Sequence, residues 1–211
     1  MAEKYEWRKK AKAYYLPKTQ AEIVDIPEFQ FATIKGQGNP NDPAFGDYIQ
    51  ALYALSYGIK MTLKKMDNPP KGYQDYTVFP LEGVWDITEE AKETMKDELD
   101  KDQLVFHLMI RQPDYIDQTF FEEIKAQTLS KKSDIHLLEK VQFERIQEGK
   151  CIQMLHIGPY DDEPASFERM EAFANEQGVE RASKIHREIY LSDFRKVPKE
   201  KLKTVLRFQL R

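Results

Sequence analysis

Three polar or aromatic side chains share one face of a predicted strand in the last part of the sequence. Within residues 186–193, the side chains from Glu188 to Ser192 alternate between polar or aromatic and apolar, which is the pattern of a β-strand. Ile189 and Leu191 would occupy one face, and the other face would carry His186, Glu188 and Tyr190. A carboxylate among aromatic neighbours could act as a general base or as the counter-charge of a bound cation. This face could equally meet water, as one face of an antiparallel sheet often does.

Two further aromatic residues are candidates for the walls of a binding site. Trp85 follows a β-rich run, residues 76–81, and its ring could line a cavity or fill the core. Tyr160 lies in a predicted strand-to-helix turn, where its ring could lean over a cleft or simply cap the turn. Neither residue alone defines a site.

The standard catalytic and cofactor-binding signatures are absent from the sequence. It contains no Gly-x-Ser-x-Gly, no glycine-rich phosphate loop and no His-Glu-x-x-His, and the pair Gly36 and Gly38 lacks the third glycine of a dinucleotide fingerprint. His107 and His156 lie in apolar strand patterns and are interpreted as structural. The single cysteine, Cys151, has no partner for a disulfide or a zinc site. We therefore expect no metal and no cofactor.

The amino-acid composition argues against two classes of binding partner, nucleic acid and membrane. The 211 residues include 32 basic and 36 acidic side chains, a net charge of -4, without the positive cluster that phosphate binding needs. No apolar run is long enough for a signal peptide or a membrane span, and the mean hydropathy is -0.68. We expect a cytoplasmic protein that binds neither nucleic acid nor membrane directly.

Hydrophobic periodicity predicts the same order of elements, β-α-β-β, twice along the chain. The first copy has a strand at 29–35, a helix capped by Asp42 and ending near Lys65, and strands at 76–81 and 104–111 separated by a charged segment of helical pattern. A linking helix follows Pro113. The second copy has strands at 141–144 and 151–157 around a turn at residues 148–150, a helix through residues 167–173, and strands at 187–191 and 202–210.

The joints between the first strand and its helix look alike in the two copies. Residues 38–45 and 158–167 each bring an acidic residue, Pro, Ala and an aromatic residue to the start of the helix. We interpret the chain as an N-terminal arm, residues 1–28, followed by one domain, residues 29–211. That domain would consist of two duplicated modules, 29–113 and 140–211.

Three segments resemble the GyrI-like small-molecule-binding family. They are residues 158–167, residues 76–85 with Pro80-Leu81-Glu82-Gly83 and Trp85, and residues 186–193. The resemblance runs from about Tyr5 to the end of the sequence and is closest to stand-alone members with a Lys-Tyr-Glu-Trp leader and an Ile-Arg-Gln-Pro segment, here residues 110–113. It implies an α+β fold in which duplicated β-α-β-β modules form a curved antiparallel sheet, with helices on one side and a ligand cleft on the other.

The resemblance also implies which residues would act. The family's key acid corresponds to Glu188, and its pocket aromatics correspond to Trp85, Tyr76, Tyr160 and Tyr190, beside which we place His186. Relatives sense hydrophobic, often cationic drugs, hydrolyse cyclopropane-bearing DNA-alkylating compounds, or inhibit DNA gyrase.

We accordingly expect a partner that is a small hydrophobic or aromatic molecule, with hydrolysis for detoxification as one outcome and non-catalytic binding or sensing as another. Gyrase inhibition would use an exposed acidic surface at residues 161–163. Exposed aromatics leave a homodimer open.

Overall fold

The computed structural model describes residues 3–94 and 100–211. The first two residues of the expected arm, and residues 95–99 of the charged segment before the third strand, lie outside that part. The chain divides into two compact units. The first comprises Met1–Glu6, Phe29–Phe79 and Asp86–Ile146, and the second comprises Trp7–Glu28, Pro80–Trp85 and Gln147–Arg211.

The described residues combine α-helices with antiparallel strands, in the mixed fold class expected from the sequence. The helices are α1 (Trp7–Lys10), α2 (Lys12–Tyr15), α3 (Phe45–Lys65), α4 (Glu89–Thr94), α5 (Gln118–Lys131) and α6 (Glu163–Gln177). The strands are β1 (Glu22–Gln37), β2 (Leu81–Ile87), β3 (Leu104–Gln112), β4 (Gln142–Ile157), β5 (His186–Tyr190) and β6 (Lys203–Gln209).

The first unit is built around helix α3 and the pairing of β1 with β3. These strands are antiparallel, with Gln30 opposite Gln112 and Gln37 opposite Val105. Helix α3 buries one apolar face, which includes Leu52, Leu55 and Ile59, as the three- and four-residue spacing predicts. The linking helix is present as α5, and the Asp117 side chain caps it by accepting a 2.8 Å hydrogen bond from the Phe120 N–H.

The expected start of helix α3 was wrong. Asp42 does not cap it, since the helix begins at Phe45 and the residue before it, Ala44, makes no side-chain capping bond. Instead the carbonyl of Asp42 accepts a hydrogen bond of 3.0 Å from the Phe45 N–H. A turn that includes Pro43 therefore precedes the helix, because the proline can enter a turn as readily as a first helical position.

The second unit contains four antiparallel strands in the order β2, β5, β6, β4. Trp85 lies opposite His186, Glu188 lies opposite Leu206, and Leu206 lies opposite Met154. Because directly opposed residues share a face, Trp85, His186 and Glu188 lie on the face that also carries Leu206. The face assignment made from the alternation at residues 186–193 is thus confirmed.

Helix α6 packs on this same face. Met170 and Ala174 of the helix form a buried apolar cluster with Met154, Leu206 and other strand residues. The helix ends at Gln177 and is capped by Gly178, whose φ of 68° is a left-handed conformation that glycine adopts without steric cost. In this unit Glu188 therefore lies on the helix-covered face of the sheet, whereas the sequence analysis expected the cleft on the face without helices.

The opposite face of the second unit carries a buried ion network. Arg187 and Arg207 are opposed across β5 and β6, and each pairs with Glu148, at 3.0 and 2.8 Å. Arg187 also pairs with Glu82 at 2.6 Å, and the Tyr15 hydroxyl donates a 3.0 Å hydrogen bond to Glu82. The negative charges of Glu82 and Glu148 thus balance the positive charges of the two arginines. Buried charges need such pairing because they have lost their contacts with water.

Two strand predictions were wrong. Residues 76–81 do not form a strand: Tyr76 makes one isolated bridge to Tyr5, and β2 begins only at Leu81, so that Trp85 lies inside the strand. The turn predicted at residues 148–150 is absent because β4 continues through them as one strand. Gly149 has a φ of 69°, so it distorts the strand locally without reversing it.

Candidate functional site

The candidate site lies on the α6-covered face of the second unit. Strands β2 and β5 bring Trp85 opposite His186 and Gly83 opposite Glu188. Trp85 precedes Glu188 by about a hundred residues, and the β2–β5 pairing is what brings the two onto one surface.

A chain of hydrogen bonds connects the tryptophan with the carboxylate. Trp85 Nε1 donates to the Tyr190 hydroxyl at 2.8 Å, and that hydroxyl donates to Glu188 Oε2 at 2.8 Å. Burial and the neighbouring Glu188 raise the pKa of Tyr190 well above its usual value, so the phenol keeps its proton and remains a donor. This chain fixes the orientation of the Trp85 ring and of one carboxylate oxygen.

His186 lies on the other oxygen of the same carboxylate. Its Nε2 is 3.2 Å from Glu188 Oε1, and its ring meets the Phe167 ring of α6 edge-on, with centroids 4.7 Å apart. The Glu188 side chain is only 12% exposed. Both oxygens of a nearly buried carboxylate are therefore held by neighbours from its own strand.

Tyr160 lies beside Tyr190, in the turn that leads into α6. The two rings are perpendicular, with centroids 6.0 Å apart, and Tyr160 is 37% exposed. Burial, then the charges of Glu188 and Glu163, raise the pKa of Tyr160 to about 12. The Tyr160 ring thus remains accessible to solvent.

Sequence reasoning missed one functional candidate, Glu163. It is the first residue of α6 and is 5% exposed. Burial, followed by the charge of Glu188, raises its pKa far above the ordinary value. An acidic residue in a first helical turn is commonplace at the surface, so the sequence offers no signal of this burial.

This burial corrects the expected acidic surface at residues 161–163. Asp161 and Asp162 are exposed, but Glu163 is not. The surface proposed for contact with gyrase is therefore smaller than the sequence suggested.

Tyr76 belongs to the first unit and makes its contacts there. It is buried, its ring lies 6.5 Å from that of Tyr115, and the Lys60 ammonium stands 5.1 Å from its ring centroid. Within the second unit the structure brings together Trp85, Tyr160, His186, Glu188 and Tyr190. The role of Tyr76 in ligand binding stays a prediction.

Both ring nitrogens of His156 are occupied, as a structural histidine requires. Nδ1 lies 2.9 Å from the Ser166 hydroxyl and Nε2 lies 3.0 Å from the Pro159 carbonyl oxygen. His107 of the first unit lies 3.1 Å from Glu144. Among residues 3–94 and 100–211, no group of three His, Cys, Asp or Glu side chains could hold a metal ion.

A groove of about 510 Å³ lies between α3 and α5 in the first unit. Tyr57, Met61 and Ile124 are among its lining residues, and none of the predicted site residues is. In the part of the chain that the structure describes, no helix is long and apolar enough to cross a membrane.

The chain as a whole matches a known family of small-molecule-binding domains. Residues 19–211 match the GyrI-like small molecule binding domain, so the chain belongs to the GyrI-like family, as the sequence motifs indicated. No curated protein matches the chain.

Solved structures similar to the chain include two from Listeria innocua. One is described as a hydrolase, with 33% identity and a TM-score of 0.87, and the other as an uncharacterized conserved protein, with 34% and 0.88. Each alignment covers 99% of this chain and 100% of the other. The C-terminal domain of EcmrR, at 14% identity, shares the fold with a TM-score of 0.50 over 91% of this chain and 97% of that domain.

Proposed function

We propose that the second unit binds a hydrophobic small molecule, aromatic or cationic, against Trp85, Tyr160 and Glu188. The observation that carries the proposal is the bonded chain from Trp85 through Tyr190 to Glu188, which holds an aromatic face and a carboxylate in a fixed relation. A cation over an aromatic face and beside a buried carboxylate gains from both. Membership of a small-molecule-binding family supports this.

Unsatisfied polar atoms on the same face also support the proposal. Glu163 Oε1 and Thr204 Oγ1 are buried and have no hydrogen-bond partner among the described residues. Thr204 lies opposite Tyr190, so its hydroxyl belongs to the Glu188 side of the sheet. Buried polar atoms are costly unless they bond to something, and a polar group of a ligand would satisfy them.

The binding test uses a lipophilic aromatic cation, methyltriphenylphosphonium, in titration calorimetry. We expect wild type to bind it and Glu188→Gln to bind at least about tenfold more weakly, because the amide keeps the shape and loses the charge. Glu168→Gln, an exposed position on α6, is the matched control and should bind as wild type does. Equal binding by Glu188→Gln would contradict the assignment of Glu188.

A second candidate function is hydrolysis of cyclopropane-bearing DNA-alkylating compounds. It is favoured by a second buried carboxyl group, that of Glu163, whose pKa is raised by burial and by the charge of Glu188, and by the similar Listeria innocua protein described as a hydrolase. Glu188 would accept a proton from a water molecule whose oxygen bonds to the strained carbon. The breaking carbon–carbon bond would send its electron pair toward a conjugated carbonyl oxygen, which would take the proton of Glu163.

No other proton donor or acceptor is needed for this step besides Glu163 and Glu188. The proton gained by Glu188 would pass to Glu163, whose pKa is raised by burial and by the charge of Glu188, and this restores the starting state. Mass spectrometry of a cyclopropane-bearing aromatic alkylator, incubated with wild type and with Glu188→Gln, tests the step. Addition of one water by wild type alone would support a hydrolase, whereas binding without turnover would leave a sensing or sequestering protein.

The duplication of the β-α-β-β module is part of the same proposal. It is supported by the recurring order of elements, β1-α3-β2-β3 and β4-α6-β5-β6. A ligand cleft in such a fold is the expected location of the bound molecule.

A further inference from the structure

The groove between α3 and α5 in the first unit exposes large apolar side chains. Tyr57, Met61 and Met66 line it and are 51%, 45% and 38% exposed. A single exposed apolar residue is ordinary, but several around one concave surface mark a binding site. The volume of about 510 Å³ also falls in the range of about 300–1,000 Å³ that is typical of small-molecule sites.

The helix period explains why a groove forms here. Ala54, Gly58 and Thr62 recur every four residues, so they form a ridge of small side chains along α3. The adjacent ridge, which starts at Tyr57, carries larger side chains. At Gly58 the two helices are in close contact, because a Cβ atom there would lie 2.9 Å from the Thr128 hydroxyl oxygen of α5. The small ridge therefore leaves a depression beside the larger one.

The charges around the groove have one sign. Among the described residues that line it, the charged ones are Lys65, Lys131 and Lys132, and none is Asp or Glu. All three lysines are exposed. The sequence as a whole has more acidic than basic residues and a net charge of -4, so the groove departs from the overall balance. Apolar surface next to positive charge suits a molecule that has an apolar part and an anionic group.

Two of these lysines also have a structural role. Lys65 and Lys131 are the last residues of α3 and α5, where a cation offsets the partial negative charge of the final carbonyl groups. An ammonium group carries a full positive charge, so the groove stays positive after this offset. The neighbouring acid Glu123 accepts a 3.1 Å hydrogen bond from the Gln127 amide and does not line the groove.

We propose that the α3–α5 groove binds a free single-chain amphiphile with an anionic head group, of the long-chain carboxylate class. The alkyl chain would lie against the exposed tyrosine and methionine side chains, and methionine adapts its shape to such chains because it is unbranched and flexible. The three lysines would bind the head group. This site is separate from the one proposed at Glu188, and the two would select ligands of opposite charge.

The concave shape favours a free amphiphile over a membrane surface. A protein that binds at a bilayer interface uses an apolar face that projects into the lipid. The apolar residues of this groove instead surround a depression, so they can enclose one chain.

The experiment compares dodecanoate with dodecyltrimethylammonium, which have alkyl chains of the same length and opposite charges. Titration calorimetry is carried out below the concentrations at which either forms micelles, in Glu188→Gln, so that the proposed cation site is removed. Dodecanoate should bind with a stoichiometry of one, at least about tenfold more tightly than the cation. Added salt should weaken its binding, because the lysines are exposed. Its affinity should be the same in wild type.

The variant Lys131→Glu/Lys132→Glu tests the head-group site and should bind dodecanoate at least about tenfold more weakly. Its control is Lys199→Glu/Lys201→Glu, at two exposed positions of the second unit, which makes the same change in net charge and should bind as wild type does. Thr62→Phe tests the chain site: the larger ring should fill the groove and weaken binding without loss of the fold. Urea unfolding checks that each variant is folded.

Three results would each overturn the proposal. They are equal affinity for the two amphiphiles, equal binding by the two lysine variants, and lysine-dependent flotation with phosphatidylglycerol vesicles when dodecanoate does not bind. The last of these would assign the groove to a membrane surface. None of them bears on the binding of methyltriphenylphosphonium at Glu188, so the two proposals can fail independently.

Discussion

The indole Nε1 of Trp85 donates a hydrogen bond of 2.8 Å to the hydroxyl of Tyr190, 105 residues further along the chain. That hydroxyl in turn donates to Glu188. One phenol thus positions both the main aromatic surface and the acid of the candidate site. Removal of the Tyr190 hydroxyl should therefore affect both the Trp85 ring and the Glu188 carboxylate.

Tyr190→Phe should show what the hydroxyl of Tyr190 contributes to the site apart from the packing of its ring. The variant keeps the ring but leaves the Trp85 N–H and one Glu188 oxygen without their partner, and a buried unpaired group costs about 1–3 kcal/mol. We expect urea unfolding to show a loss of that size together with weaker ligand binding. Tyr57→Phe, an exposed position in the first unit, is the control and should change neither. Unaltered stability of Tyr190→Phe would mean that the bonded chain does not hold the site.

Tryptophan fluorescence should report occupancy of the site directly. The sequence has two tryptophans, Trp7 and Trp85. Trp7 is buried, its ring lies 5.5 Å from that of Tyr15, and the Arg8 guanidinium lies 4.5 Å from its ring centroid. In Trp7→Phe, the remaining Trp85 emission should change on titration with methyltriphenylphosphonium. In Trp85→Phe the ligand should leave the emission unchanged, and a response there would place the ligand elsewhere.

The sequence predicted correctly those features that depend only on residues close together along the chain. Alternation on β5 assigned His186, Glu188 and Tyr190 to one face because side-chain direction in a strand repeats every two residues. The spacing of apolar residues likewise gave α3, α5 and α6 nearly as they are. Such patterns do not show which residues distant in sequence lie close together in the fold. The burial of Glu163 is the clearest example. Nothing local distinguishes a surface acid at a helix start from one buried against a second carboxylate.

The same limit explains the two misplaced strands. A Glu-Gly-Lys sequence favours a tight turn in isolation, but Gly149 can also take its left-handed φ inside a continuing strand. The sequence analysis gave Arg187 no role, because only the fold places Glu82 and Glu148 beside it. The family motifs identified the acid and the aromatic candidates. The hydrogen bonds that connect them required the structure.

Glu148→Gln should be among the most destabilising single changes in the second unit. Burial alone would raise the pKa of Glu148, but Arg187 and Arg207 hold it below the usual value. The loss of its charge leaves two opposed guanidinium groups with only Glu82, and breaking a buried pair costs about 3–5 kcal/mol. Urea unfolding at pH 7 measures this. Glu180→Gln, in an exposed pair with Arg211, should lose no more than about 1 kcal/mol.

The pH dependence of the same variant follows from the depressed pKa. A carboxylate with a folded pKa below its unfolded value contributes stability that is fully present above the unfolded pKa of about 4.3. That contribution is lost as the pH falls through the folded pKa. Wild type should therefore lose stability more steeply than Glu148→Gln during acid titration. Parallel acid curves would show that Glu148 does not titrate in the way the network requires.

Glu163→Gln should stabilise the protein at neutral pH, in contrast to Glu148→Gln. The folded pKa of Glu163 is raised by burial, so its contribution to stability is present below the unfolded pKa of about 4.3 and declines as the pH rises toward the folded pKa. The glutamine has no proton to lose and escapes this decline. The free energies of unfolding of the two proteins, measured with urea, should thus be close near pH 5 and diverge toward pH 8, by at most about 1.4 kcal/mol per pH unit. Glu168→Gln should follow wild type throughout. A gap between wild type and Glu163→Gln that stays constant with pH would contradict a raised pKa of Glu163 in the folded protein.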